Sequence, residues 1–310
     1  MTSTIISERL AIIGIGLIGS SIALAAKAKG VAGTVVLYDA DPDVRRRAGL
    51  RGLGLVADTI TEAVTGADIV VLCTPSGAMG AAAAALSSAL ANGAIVTDVG
   101  SVKAQVIESV LPHIADHAVF VPGHPIAGTE QSGPEAGFPE LFNDRWTILC
   151  PLEDERPAYG AAVSRLIAFW EGLGARVECM DAKRHDLVLA ITSHIPHLIA
   201  FQTVATASDL ETVTESEVVK YSAGGFRDFT RIAASDPTMW RDVFLMNREA
   251  VLDVLGRFSE DLTALRRAIR WGDGDVLFKT FERARHIRRE VIEAGQDISA
   301  PNFGRNQRED

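Results

Sequence analysis

The chain has 310 residues, 47% of them hydrophobic and 23% charged, with a formal net charge of −10. That length exceeds what one core usually organises, so two domains are expected, each able to bury a sizeable apolar interior. The acidic balance argues against nucleic acid and anionic membrane as general partners, although it leaves room for a local cationic pocket.

In chain order, a short apolar strand, Leu10–Ile15, runs straight into Gly14-x-Gly16-x-x-Gly19. An apolar helical run follows, then a second strand, Thr34–Asp39, closed by an acid 20 residues after the third glycine. Strand, glycine loop, helix, strand and acid together are the dinucleotide-binding pattern in its full context. Gly14 permits the tight turn, Gly16 lets the backbone approach a pyrophosphate, and Gly19 lets helix and strand pack closely. Leu17 and Ile18 open the helix, whose free N–H groups and positive dipole end suit phosphates. A carboxylate at Asp39 accepts from ribose hydroxyls and repels a 2′-phosphate, which favours NAD over NADP. Arg45, Arg46 and Arg47 follow on the next helix, where a solvated face accounts for them better than a reach back to phosphate. The apolar run Leu10–Ala26 has nearly membrane-spanning length, but three glycines and two serines interrupt it and the nucleotide pattern explains it. No other run is expected to reach that length, so the protein is read as soluble and cytoplasmic.

Further strands are expected at Asp68–Thr74, Ala94–Asp98, Ala118–Pro122, Trp146–Pro151 and Arg176–Met180, alternating with helices such as Ser76–Ala91 and Ser101–His113. Alternation of this kind gives a mostly parallel sheet with helices on both faces, an α/β Rossmann-type domain over residues 1–181. From residue 182 to 310 the strand signals vanish and an all-α domain is expected, forming a substrate cleft and a dimer core. Its long helices would be His185–Ala205, Met239–Ala268 and Asp275–Gly295, with a glycine-containing break near Ser222–Phe226 and a frayed tail at Ile298–Asp310. Cys73, Cys150 and Cys179 lie far apart without a C-x-x-C and read as buried free thiols.

Ligands of open α/β sheets bind at the carboxyl ends of the strands. After the third, fourth and fifth strands stand Thr74-Pro75, Gly100-Ser101-Val102-Lys103 and Gly123-His124-Pro125-Ile126-Ala127-Gly128-Thr129-Glu130. His124 is the candidate acid–base group, since an ordinary imidazole pKa near 6.5 suits removal of a hydroxyl proton during hydride transfer. Ser101 would orient it, bind the same hydroxyl, or cap a helix. In the helical half, Ser193-His194-Ile195-Pro196-His197 puts two histidines at i, i+3 on one side. His197 is the better substrate contact; zinc finds no third ligand at a familiar spacing. Arg231 offers a planar fork for a carboxylate. Trp240 suits either the core or a pocket wall. His113, His117, His185 and His286 carry no signal beyond surface or packing roles.

Four strings, Gly-His-Pro-Ile-Ala-Gly-Thr-Glu at 123–130, Ser-His-Ile-Pro-His at 193–197, Gly-Gly-Phe-Arg-Asp-Phe-Thr-Arg-Ile-Ala at 224–233 and Ser-Asp-Pro-x-Met-Trp at 235–240, resemble the prephenate/arogenate (cyclohexadienyl) dehydrogenase family of tyrosine biosynthesis. The resemblance implies an NAD-dependent oxidative decarboxylation, with prephenate or arogenate as the small-molecule partner and a homodimer as the assembly. It implies that His124 accepts the hydroxyl proton, with Ser101 bridging it and the cofactor. Arg231 would bind a substrate carboxylate, Glu130 and Asp228 would keep that arginine oriented, and His197, Thr129 and Trp240 would complete the substrate side. Asp186 would be a similar interdomain acid. No fused chorismate mutase or ACT domain is expected. Two other readings stay open: a dehydrogenase of the β-hydroxyacid type, and a non-catalytic nucleotide-binding sensor.

Overall fold

In the computed structural model, which describes residues 5–129, 131–214 and 223–293, six strands form one parallel sheet. They are β1 (Ser7–Ile13), β2 (Ala32–Tyr38), β3 (Leu55–Val56), β4 (Ile69–Leu72), β5 (Ile95–Asp98) and β6 (Val119–Phe120), in the order β3-β2-β1-β4-β5-β6. A parallel sheet is buried on both faces, which is why its central strands are apolar at nearly every position rather than alternately. Leu10 and Ile12 of β1 join Ile69 and Val71 of β4 in one core; Ala11 and Ile13 join Val70 and Leu72 in the other. The first core is covered by α1 (Leu17–Lys29) and α6 (Pro157–Gly172), the second by α3 (Ile60–Val64), α4 (Met79–Leu86) and α5 (Ala104–Val110). Helix α2 (Pro42–Leu50) follows β2 and is capped by the Asp41 side chain, which accepts the Asp43 N–H.

The strands expected at 146–151 and 176–180 do not extend this sheet. They form a second one: β8 (Trp146–Leu149) pairs antiparallel with β7 (Gly123–Pro125) and parallel with β9 (Arg176–Cys179). Pro122 and Pro125 have no N–H with which to prolong the ladder beyond β6, so the chain leaves the first sheet there. Pro125 then falls on an edge strand, where a missing donor is tolerated. His124 consequently sits in a strand, opposite Ile148, rather than on a loop.

The helical part begins with α7 (Ala182–Leu189), a single π turn (Ala190–His194) and α8 (Ile195–Thr214). Pro196 offers no N–H to the preceding turn, and the helix widens just ahead of it. Next come α9 (Gly224–Thr230), a 3-10 turn (Arg231–Ala234), α10 (Pro237–Met246), α11 (Arg248–Trp271) and α12 (Gly274–Glu293). The single helix expected over Met239–Ala268 is two, broken at Asn247 (φ −103, ψ 32). The expected tail at Ile298–Asp310 lies outside the described residues.

By internal contacts, Met1–Val251 form one compact unit and Leu252–Asp310 another. The first therefore holds both sheets and α1 to α10. Within the second, Leu262, Ile269, Trp271, Phe278 and Phe281 are exposed.

Candidate active site

The turn between β1 and α1 is shaped by what its glycines lack. Gly14 has φ +100, and a Cβ there would stand 2.7 Å from the backbone of Cys73. A Cβ on Gly19 would stand 2.1 Å from the Gly14 carbonyl oxygen, so no larger residue fits. At Gly16, by contrast, a Cβ would meet nothing within 4 Å. Gly16 is also the N-cap of α1 and supplies no side chain to its first N–H groups, those of Leu17 and Ile18. An open approach to unsatisfied donors at a helix start fits a pyrophosphate. Asp39 closes the cradle: its carboxylate accepts the N–H of Ile15 (2.8 Å) and of Asp41 (3.0 Å). Arg45 donates to the Asp39 carbonyl (2.7 Å), while Arg46 and Arg47 pair with Asp43. Beside the cradle, Thr74 carries a buried hydroxyl with no partner among the described residues, and Pro75 is exposed. The donor set fits a dinucleotide.

Two strands along the same edge, β5 ends in a wholly buried ion pair. Lys103 Nζ donates to Asp98 Oδ2 and to the Gly123 carbonyl (2.6 Å), and both charged side chains have no exposed surface. Asp98 further accepts the N–H of Gly100 (2.8 Å) and of Gly123 (3.1 Å). One carboxylate thus ties the loop carrying Ser101 to the strand carrying His124. A buried charge tolerates this setting only when paired and hydrogen-bonded, as here.

His124 is 8% exposed, and its Nδ1 lies 2.9 Å from His185 Nε2. His185 Nδ1 lies 2.8 Å from Asp186 Oδ1. Asp186 also accepts the N–H of Lys103 (2.7 Å) and Ala104 (2.9 Å) at the start of α5. His194 closes the group: its Nδ1 lies 3.1 Å from Asn247 Nδ2, which also donates to the Asp186 carbonyl (2.8 Å). His194 Nε2 is buried with no hydrogen-bond partner among the described residues. The side-chain bonds of Asn247 pin this residue, at the junction of α10 and α11, to α7 and the π turn, while its backbone N–H still bonds to the Val243 carbonyl (2.9 Å).

Burial holds His124 well below the ordinary imidazole range, with His185, Lys103 and His194 adding to the effect. Burial also lowers His185, against the opposing pull of its bond to Asp186. It brings His194 down to about 4. His124 is therefore neutral at neutral pH and able to accept a proton.

Around this centre Trp240 is 6% exposed and packs with Val102 and Val243, while His197 stacks on its ring (centroids 3.8 Å apart, planes at 24°). His197 Nδ1 is bound to the Ser193 carbonyl (2.8 Å). Ser101 is half-buried on the adjoining loop. The structure thus brings His124, Ser101, His194, His197 and Trp240 to one place. Arg231 is exposed at the start of the 3-10 turn that packs on α8; Asp228 is half-buried on α9, and Thr129 is exposed on the loop after β7. Glu130 lies outside the described residues.

Three sequence expectations need correction. His185 is not an ordinary packing residue but a buried partner of His124; the one local hint was an adjacent His-Asp pair at a helix start. Cys179 is exposed, whereas Cys150 is buried and its thiol pushed up to about 12. Among the described residues, one helical stretch, Ala182–Leu210, is long and apolar enough to cross a membrane, where no run beyond the glycine loop was expected to approach that length. Its His185, Asp186 and His194 are buried in hydrogen bonds with the sheet edge and Asn247, so its first part is anchored in the fold, while most of the stretch is not buried.

Two family models match the chain: "Prephenate dehydrogenase, nucleotide-binding domain" over residues 22–179 and "Prephenate dehydrogenase, dimerization domain" over residues 181–283. A cyclohexadienyl dehydrogenase of Zymomonas mobilis is 46% identical over 282 residues, covering 91% of this chain and 95% of that protein. The prephenate dehydrogenase of Bacillus subtilis is 32% identical over 285 residues, covering 91% and 75%. Among solved structures, the prephenate dehydrogenase of Aquifex aeolicus in complex with hydroxyphenyl propionate and NAD+ superposes with a TM-score of 0.84 at 33% identity, covering 92% of this chain and 98% of that one.

Proposed function

The chain belongs to the prephenate dehydrogenase family, and from that premise we propose that it carries out the NAD-dependent oxidative decarboxylation of prephenate, arogenate or both in tyrosine biosynthesis. The observation that carries the reading is a neutral, buried His124 on the sheet edge that also bears the glycine cradle. Residues 1–181 are the nucleotide-binding domain in this reading, and residues 182–310 the substrate and dimerisation domain of a soluble, cytoplasmic homodimer.

Gly14, Gly16, Leu17, Ile18, Gly19, Asp39, Thr74 and Pro75 would hold NAD, which supplies the hydride acceptor. As the hydroxyl-bearing ring carbon gives up its hydrogen with the electron pair, His124 takes the O–H proton. The opposite ring carbon then loses CO₂, the released electron pair enters the ring, and His124 returns the proton to the phenolate oxygen. Atoms and charge balance, and aromatisation makes the sequence effectively irreversible. Ser101 bridges the hydroxyl and the cofactor. Arg231, steadied by Asp228 and Glu130, holds a substrate carboxylate through a charge-assisted fork, with Thr129, His197 and Trp240 completing the substrate side.

Incubating the protein with NAD and either ring acid tests this: NADH and CO₂ should appear in equal amounts. Turnover of a β-hydroxy acid but of neither ring acid would overturn it, as would NAD binding without any NADH formation.

A further inference from the structure

Two adjacent side chains on α7, His185 and Asp186, decide which nitrogen of His124 is the base. The Asp186 carboxylate takes the N–H of Lys103 and Ala104 and faces His185 Nδ1. A carboxylate can only accept, so the proton between Asp186 and His185 belongs to His185 Nδ1. Burial keeps His185 neutral, so it has that one proton and its Nε2 is left as an acceptor. His185 Nε2 must then receive the hydrogen of His124 Nδ1, which stands 2.9 Å away. His124 Nε2 is left with the lone pair.

We propose that Asp186 and His185 are positioning residues that lock His124 in its Nδ1–H tautomer, presenting a basic Nε2 to the substrate hydroxyl. The device extends by one imidazole the carboxylate–histidine logic of a catalytic triad, where the acid sets the tautomer without itself becoming protonated. When His124 takes the hydroxyl proton, its Nδ1–H bond to His185 becomes charge-assisted and holds the imidazolium. Asp186 also binds the first N–H groups of α5 and so registers the Ser101 loop against the same relay. The Asn247 amide applies the same rule to His194. Its Nδ2 can only donate, so His194 Nδ1 accepts and the proton of neutral His194 sits on Nε2.

The role given to His185 and Asp186 rests on His124 being the proton acceptor, so the test separates the two. In the full chain labelled with ¹⁵N-histidine, His124 (its signals assigned from His124→Asn) should show a protonated Nδ1 and a bare Nε2 at pH 8; a protonated Nε2 overturns the proposal. Asp186→Asn leaves a single oxygen for the N–H groups of Lys103, Ala104 and His185, so the Nδ1–H tautomer of His185, and with it the lone pair on His124 Nε2, is no longer enforced. Its kcat should fall by about 10²–10⁴, with KM and NAD affinity within about threefold. His185→Gln keeps an oxygen acceptor for His124 Nδ1–H and should lose less kcat than Asp186→Asn. Equal losses in the two variants, accompanied by raised KM and a lower Tm, would mean mere structural support and overturn the proposal. A wild-type Nδ1–H tautomer together with an active His124→Asn would leave the lock standing and remove the base assignment instead.

Discussion

The two sides of the candidate site are built to different standards. On the sheet edge, the polar atoms of Asp98, Lys103 and Asp186 are buried and paired, and His124 is held through His185. On the helical side, Arg231 is exposed and Asp228 half-buried, and Thr129 on the loop after β7 is exposed. The contrast teaches that the proposed proton transfer would be preorganised by the fold, whereas Arg231, assigned to the substrate carboxylate, lies at the surface of the chain. Interactions fixed before substrate arrives cost no reorganisation at the moment of reaction; those at the surface report mainly on binding.

Perturbing each side in turn should separate them. The largest effect belongs to His124→Asn, which should lower kcat by about 10²–10⁴ while NAD binding, read by protein fluorescence, stays intact. Next, Lys103→Met leaves Asp98 buried without its counter-charge and should cost about 3–5 kcal/mol in urea unfolding. Acid should act on the same side. His124, His185, His194 and His197 are all lowered by burial, so below the ordinary imidazole pKa the unfolded chain binds more protons. Stability should thus be complete above roughly pH 6.5 and fall with decreasing pH. His194 alone, at about 4 when folded, contributes ~3 kcal/mol of that loss between pH 6.5 and 4. Urea midpoints at pH 7.5 and pH 5 check it, and His194→Gln should flatten the difference. The smallest effect falls on the helical side: Arg231→Gln should raise KM about 10–100-fold, the worth of one charged hydrogen bond, with a milder loss of kcat. An unchanged KM would remove Arg231 from substrate binding.

The same contrast marks what could be read from sequence. The glycine turn, its helix and Asp39 were legible because each obeys a local rule: a forced φ at Gly14, a close approach at Gly19, an acid after the second strand. His124 was legible as a residue following a strand, although the strand β7 around it was not, since three residues carry no alternation and their partner β8 lies more than twenty positions away. The His124–His185 bond joins residues 61 apart, beyond any periodicity. The break at Asn247 was hidden for a related reason. Backbone bonds run on through Asn247 to Val243 and Val251, and what fixes its side chain, the tertiary bonds to Asp186 and His194, leaves no local pattern.

Which group gains the hydroxyl proton is read most directly by the pH dependence of kcat/KM in the wild type and in His124→Asn. The wild type should lose activity toward acid with an apparent pKa below the ordinary imidazole value of about 6.5, since a buried His124 protonates late. That limb should be missing from the residual activity of His124→Asn. The same acid limb in both proteins would contradict the assignment of His124 as the proton acceptor.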